Sequence, residues 1–232
     1  MEPAKNKSKK WWKIFLFSVL TLLAIFLVAG VFYVINLAST LEGKEYNYSS
    51  ILNQLEKYPT ATDNTKITGL NNYWLGSSRP KLEIVEFGDF NCPNTKNSFT
   101  KIRELGLKYQ DSVKIIYRDY PVYEDSMDLA LAGRCAGEQG LFWLMHDKLL
   151  TQQDNFSLND LSGLANQIGA NVVKFNNCLN SKKYLNDIKK DYADGEELGV
   201  KGTPTWFING FKIEGDIPYD LFAQIVEKLS KR

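Results

Sequence analysis

From Ile14 to Ile35 the chain has no charged side chain, and its polar side chains are limited to Ser18, Thr21 and Tyr33. A helix of about 20 such residues spans the hydrocarbon core of a bilayer, so this run reads as a membrane span rather than a buried soluble helix. Lys5, Lys7, Lys9, Lys10 and Lys13 precede it, Trp11, Trp12 and Tyr33 suit the two interfaces, and no charge returns until Glu42. Positive residues stay on the cytoplasmic side, which places everything after about residue 40 outside. A cleavable signal peptide competes, with Ala38 before the cut. The apolar stretch is longer than a usual signal core and lacks a clean A-x-A site, which favours an uncleaved signal-anchor. The expected layout is a cytoplasmic basic tail at 1–13, a transmembrane segment at 14–36, a tether at 37–70 and a folded domain at 71–232.

The external part is long enough for one domain with a real core, or one domain carrying an insertion. The formal charge is +1, and the N-terminal lysines supply much of the positive side, so the external part is mildly acidic and nucleic acid is not an expected partner. Three cysteines in an exported chain leave an odd one, which implies one structural disulfide and one free or intermolecular thiol. With a single histidine and no Cys/His cluster at ligand spacing, neither a metal site nor a cofactor is expected.

Glu42 to Lys57 can form a short helix through Ile51, Leu52 and Leu55, and Pro59 to Thr65 is polar and turn-rich, as a spacer would be. Leu70 to Gly76 brings aromatic weight at the border of the folded domain. Leu82 to Phe87 then reads as a buried strand, Asn94 to Tyr109 as a helix with Phe99, Ile102, Leu105 and Tyr109 on one face, and Val113 to Tyr117 as a second strand. Strand, helix and strand in succession make a parallel unit with a right-handed crossover.

Helices are expected over Met127–Glu138, Leu141–Leu150, Leu158–Ile168, Val172–Leu179 and Tyr184–Leu198, with Ser157 to Asp160 close to a capping box. This gives an all-helical insertion over about 122–200. Thr205–Ile208 and Phe211–Ile213 flank Asn209-Gly210, a strong hairpin signal. Pro218 to Lys231 closes the chain as an amphipathic helix. The fold class is therefore α/β, a sheet covered by helices.

Between the first strand and its helix lies Glu86-Phe87-Gly88-Asp89-Phe90-Asn91-Cys92-Pro93-Asn94-Thr95. Cys92 falls at the helix N-terminus and Pro93 at the first helical position, where a missing N–H costs nothing. Unpaired N–H groups and the helix dipole favour a thiolate there, and the polar neighbours Asn91 and Asn94 argue for a surface turn. The competing reading is a small apolar core residue.

Glu86-Phe87-x-Asp89-Phe90-x-Cys92-Pro93, Ala136-Gly137-Glu138-Gln139-Gly140-x-Phe142-Trp143-x-x-His146-Asp147 and Gly199-Val200-x-Gly202-Thr203-Pro204-Thr205-x-Phe207-x-Asn209-Gly210 together resemble the DsbA-like thiol:disulfide oxidoreductases, from about Trp74 to the C-terminus. The resemblance implies a thioredoxin fold with a helical insertion, an exported location and disulfide exchange with exported cysteine-containing proteins or small thiols, with a membrane redox partner. It implies that Cys92 is the attacking cysteine, that Pro204 after Thr203 is the cis-proline facing it, and that Glu86 helps move protons. Thr203 and Pro93 then line the substrate. An ordinary trans proline at the strand entry is the competing reading of Pro204.

The family's Cys-x-x-Cys is here Cys92-x-x-Thr95. A hydroxyl can donate to the Cys92 thiolate but cannot attack a mixed disulfide, so the two-cysteine cycle is unavailable at this motif. Three readings stay open: a monothiol resolved by an external thiol, a distant resolving thiol at Cys135 or Cys178, or a non-catalytic peptide-binding or thiol-capturing module. Relatives often bridge cysteines in the insertion, and a structural Cys135–Cys178 bridge is the preferred assignment. His146 is read as a helix-face histidine satisfied by a neighbouring acid, Phe142, Trp143 and Met145 as packing residues, and Asp89 as a turn acid and nothing more.

Overall fold

The computed structural model describes residues 7–41, 47–55, 57, 65–153 and 160–230, with side chains of the first helix described over 11–36. The chain divides into two compact units, Met1–Asn47 and Tyr48–Arg232. The first holds helix α1, Lys7–Leu41, within which Trp11–Asn36, at mean hydropathy 2.8, is long and apolar enough to cross a membrane. Ser18 and Thr21 donate their hydroxyls to the carbonyls of Phe15 and Ser18, which satisfies them inside the helix. The lysine cluster from Lys5 to Lys10 lies outside the described side chains.

Among the described residues the second unit runs α2 (Tyr48–Leu55), α3 (Thr65–Thr68), β1 (Trp74–Gly76), β2 (Leu82–Gly88), α4 (Pro93–Lys108), β3 (Val113–Asp119), five helices, β4 (Thr205–Ile208), β5 (Phe211–Glu214) and α10 (Tyr219–Ser230). The sheet order is β1-β3-β2-β4-β5; β2 and β3 pair in parallel, and the other pairs are antiparallel. All seven residues of β2 are buried, as expected for a strand covered on both faces. On one face Val85 and Phe87 pack with Ile67, Ile116, Tyr120, Val200 and Phe207.

The stretch expected as a tether is only partly spacer. Leu55 and Ile67 are buried and the compact unit begins at Tyr48, so a few apolar side chains recruit this segment to the domain. The turn-rich residues 58–64 lie outside the described residues. Trp74–Gly76 is itself an edge strand on β3, with Trp74 opposite Ile116.

The insertion comprises α5 (Ser126–Gly137), α6 (Phe142–Thr151), α7 (Leu161–Gln167), α8 (Val172–Asn180) and α9 (Leu185–Glu197). The capping box that starts at Ser157 falls on residues outside the description, except for Asp160. Asn209 and Gly210 both take positive φ, +47° and +89°, as the tight hairpin turn requires. The Asn209 side chain accepts from Glu83 N–H at 2.9 Å and its own N–H donates to Glu83 C=O at 2.9 Å, which fastens the hairpin to the start of β2.

Cys135 on α5 is bonded to Cys178 on α8, 43 residues on, and both lie in the apolar cluster of Phe142, Met145, Leu164 and Phe175. Closing a loop of that length stabilises by about 4 kcal/mol on the chain-entropy account. The double substitution Cys135→Ala/Cys178→Ala is expected to lower the urea-unfolding free energy by about that amount. A loss under about 1 kcal/mol would show that the helices hold without the bridge.

Candidate active site

The end of β2 sets the geometry. Cys92 is the N-cap of α4 in extended conformation (φ −84°, ψ 123°), Pro93 is at N1, and the Lys96 N–H donates to the Cys92 carbonyl at 3.1 Å. Cys92 therefore sits at the positive end of a 16-residue helix. Pro93 and Asn94 are exposed, as a surface turn predicts, but Cys92 is 3% exposed. Its cover is tertiary and absent from the local sequence. The thiol donates to the Thr203 carbonyl at 3.2 Å, and the Thr203–Pro204 peptide bond is cis. Two motifs 111 residues apart thus meet at one sulfur.

Thr95 is fully buried, and its hydroxyl accepts from the Asp89 N–H at 3.5 Å. The hydroxyl oxygen is used here as an acceptor for the turn's own amide, and its proton makes no bond to Cys92 among the described residues. Asp89 does more than shape a turn. One carboxylate oxygen accepts from Asn91 N–H at 2.8 Å, and the other accepts from Val122 N–H at 2.7 Å and Tyr123 N–H at 3.3 Å. It ties the cysteine turn to the segment between β3 and α5.

Two neighbours have no signal in the local sequence. Gln153, just after α6, donates its amide to the carbonyls of Phe90 at 2.8 Å and Cys92 at 3.1 Å. Tyr123 is tied by its N–H to Asp89 at 3.3 Å, and the charge of Cys92, then burial, raises its phenol above its ordinary value. Only the fold brings the insertion and the turn together.

Glu86 is 1% exposed on β2, opposite Tyr117 on β3 and Trp206 on β4. Burial pushes its carboxyl up to about 8, and its Oε1 has no hydrogen-bond partner among the described residues. His146 is buried with Nδ1 2.9 Å from Asp147, and its ring packs against Phe90, Tyr117 and Trp143. Burial lowers its pKa, so it serves as a neutral packing residue.

The family described as Thioredoxin matches residues 68–228. The chain belongs to the thioredoxin family. Among solved thioredoxin-like structures, the thiol-disulfide exchange protein alpha-DsbA2 from Wolbachia pipientis is 20% identical with a TM-score of 0.65, covering 81% of this chain and all of that one. Oxidised BdbD from Bacillus subtilis is 23% identical with a TM-score of 0.64, covering 75% and 98%. The thioredoxin-family chain is also 33% identical over 151 residues to the Na(+)/H(+) antiporter NhaA 3 of Salinispora tropica, which covers 64% of this chain and 23% of the antiporter. It is 33% identical over 155 residues to an NhaA 1 of Salinispora arenicola, covering 65% and 24%. The chain spans about a quarter of the length of these curated relatives.

Proposed function

We propose that this is a membrane-anchored extracytoplasmic thiol–disulfide exchange protein with Cys92 as its single reactive thiol. The observation that carries the reading is the Cys92 sulfur at a helix N-terminus, 3.2 Å from the carbonyl that precedes cis-Pro204, while the other two cysteines are bonded to each other. A Cys135–Cys178 bridge within the insertion leaves neither sulfur as a resolving thiol. The apolar α1 supports the anchor, and its flanking lysines support an external domain. Kinship with a segment of antiporters fits a domain that works beside membrane proteins.

The exchange needs no cofactor. The Cys92 thiolate attacks one sulfur of a substrate disulfide, forming Cys92–S–S–R and releasing the other half as a thiolate. A second substrate thiol or a small thiol then attacks the R sulfur and returns Cys92 as thiolate. One disulfide is consumed and one formed, which suits isomerisation, reduction or deglutathionylation better than net oxidation. Thr95 leaves the second step to the incoming thiol. Exposed Pro93 and the Thr203–Pro204 backbone border the approach, where an extended peptide from an exported cysteine-containing protein can lie. Glu86, buried on the strand that leads into the cysteine turn, is read as the acid that exchanges protons with the site.

The near-complete burial of Cys92 favours one alternative, a thiol-capturing module without turnover. The test follows a glutathionylated peptide with reduced glutathione as the second thiol, with Cys92→Ser as control. Release of many equivalents per protein supports the enzyme. One equivalent and a persistent mixed disulfide at Cys92 supports capture, and no adduct at Cys92 overturns both.

A further inference from the structure

The turn that carries Cys92 is short of one donor. The Cys92 N–H closes onto the Asp89 carbonyl at 3.1 Å. The next bond of that kind, onto the Phe90 carbonyl, would come from residue 93, and residue 93 is a proline with no N–H to give. Phe90 is 1% exposed, so solvent does not make up the difference. Gln153 does. Its side-chain amide donates to the Phe90 carbonyl at 2.8 Å, and no other described residue donates there. The same amide donates at 3.1 Å to the Cys92 carbonyl, whose other lone pair takes the Lys96 N–H. The amide is held out from a fixed base. Met145, Leu149 and Leu150 of α6 are fully buried, the Gln152 N–H closes the helix onto the Lys148 carbonyl at 3.1 Å, and Arg103 on α4 donates to Asp147 on α6 at 3.0 and 3.2 Å.

We propose that Gln153 is a positioning residue for Cys92: it supplies the donor that Pro93 lacks, and so holds the Phe90–Cys92 turn in the form that favours the thiolate. This rests on Cys92 being the exchanging thiol. Gln153 touches no reacting atom; it acts through the two carbonyls. Each is the negative end of a peptide dipole, one in the cysteine itself and one two residues before it. Bound to the amide, their direction is fixed and part of their charge is offset. Without the amide they are free to turn, and the negative charge they keep opposes a negative sulfur far more than a neutral thiol. The insertion thereby sets the ionisation of a sulfur that belongs to the other half of the domain.

The full chain in detergent micelles, with Gln153→Met and Gln153→Glu, is alkylated at Cys92 with iodoacetamide from pH 5 to pH 10, and helicity is followed by circular dichroism. Met keeps the length and loses the donor; Glu keeps the shape and, once ionised, puts a third negative group at the two carbonyls. One such hydrogen bond is worth about fivefold in ionisation. Gln153→Met is therefore expected to alkylate about fivefold more slowly on the rising part of the profile and to match the unsubstituted chain on the plateau, where every sulfur is ionised. Gln153→Glu is expected to be slower still at pH 7, with the same plateau. The titratable groups around the turn are Glu86, Asp89, Tyr117 and Tyr123, with Lys96 one turn along α4 and His146 against the Phe90 ring. All are common to the three chains, so a shift between profiles reports residue 153. Superimposable profiles for Gln153→Met overturn the assignment, and so does a rate lowered by one factor at every pH, which is a change of access. If Gln153→Met loses its helical signal, Gln153→Glu decides by the same two criteria. Cys92 unlabelled at every pH in the unsubstituted chain removes the exchange reading and this one with it; a labelled Cys92 with superimposable profiles removes this one alone.

Discussion

Replacing Arg134 by Leu is expected to destabilise the domain by about 3 to 5 kcal/mol, the usual consequence of removing one partner from a buried ion pair. The Arg134 guanidinium donates to Asp119 at 2.5 Å, to Asp191, to the Asn72 side chain at 2.9 Å and to the Asn71 carbonyl at 3.4 Å. Beside it, Arg118 donates to Asp191 and Asp194 at 2.7 Å each, and to the carbonyls of Lys66 and Ile67 at 2.7 and 3.0 Å. The cluster joins β3, α5, α9 and the segment that leads into β1. Burial already drives Asp119 up to about 6 despite Arg134, and also raises Asp191. Without Arg134 both acids rise further. An acid with a raised folded-state pKa holds its proton longer in the folded chain, so stability falls as pH rises from the unfolded value through the folded one. Arg134→Leu should accordingly be weaker at pH 8 than at pH 5, by more than the unsubstituted chain is. Urea unfolding followed by circular dichroism at the two pH values measures this; a loss below about 1 kcal/mol at pH 8 would mean that the cluster is not what holds these elements together.

That cluster also shows what the sequence conceals. Asp187, Lys190, Asp191 and Asp194 recur along α9 at the spacing of one helix face, and nothing local marks Asp191 as buried. Its partners lie 57 and 73 residues away, a separation that no periodicity encodes. By contrast, β2, α4 and the Asn209-Gly210 hairpin were legible because each is fixed by neighbours within a few residues: a continuous apolar run, a proline at the first helical turn, two positive-φ residues. The site divides in the same way. Cys92 at a helix start could be read locally, and the motif around Pro204 pointed to its counterpart through resemblance. The burial of the sulfur, the Asp89 tie and the approach of Tyr123 and Gln153 come from contacts across the insertion. The stretch 37–70 was read as a tether because Pro59 to Thr65 is polar and turn-rich, yet Leu55 and Ile67 are buried and Arg118 donates to the carbonyls of Lys66 and Ile67.

Glu86→Gln is expected to stabilise the domain, and to do so only above acidic pH. Glu86 sits in the central strand between Tyr117 and Trp206, both almost fully buried, and burial is the sole cause acting on its carboxyl, which moves from an ordinary 4.5 to about 8. Below pH 4.5 the acid is protonated in both states and contributes no difference. Between pH 4.5 and 8 the unfolded chain releases the proton and the folded chain keeps it, so stability declines with rising pH and levels off above 8. At about 1.36 kcal/mol per pH unit, the full decline approaches 5 kcal/mol, of which about 3 kcal/mol has accrued by pH 7. Gln has the same shape and no proton to lose. Its unfolding free energy should match the unsubstituted chain near pH 4 and exceed it by those amounts at pH 7 and above pH 8. Parallel curves from pH 4 to pH 9 would show that the carboxyl ionises in the folded state and would remove the ground for a proton-moving role. If the curves diverge as expected, the acid is a standing cost to the fold, tolerable where activity requires it. The matching functional result is a pH profile of peptide deglutathionylation that loses its inflection near pH 8 in Glu86→Gln. Stability gained together with that inflection lost would assign the buried proton to the chemistry at Cys92.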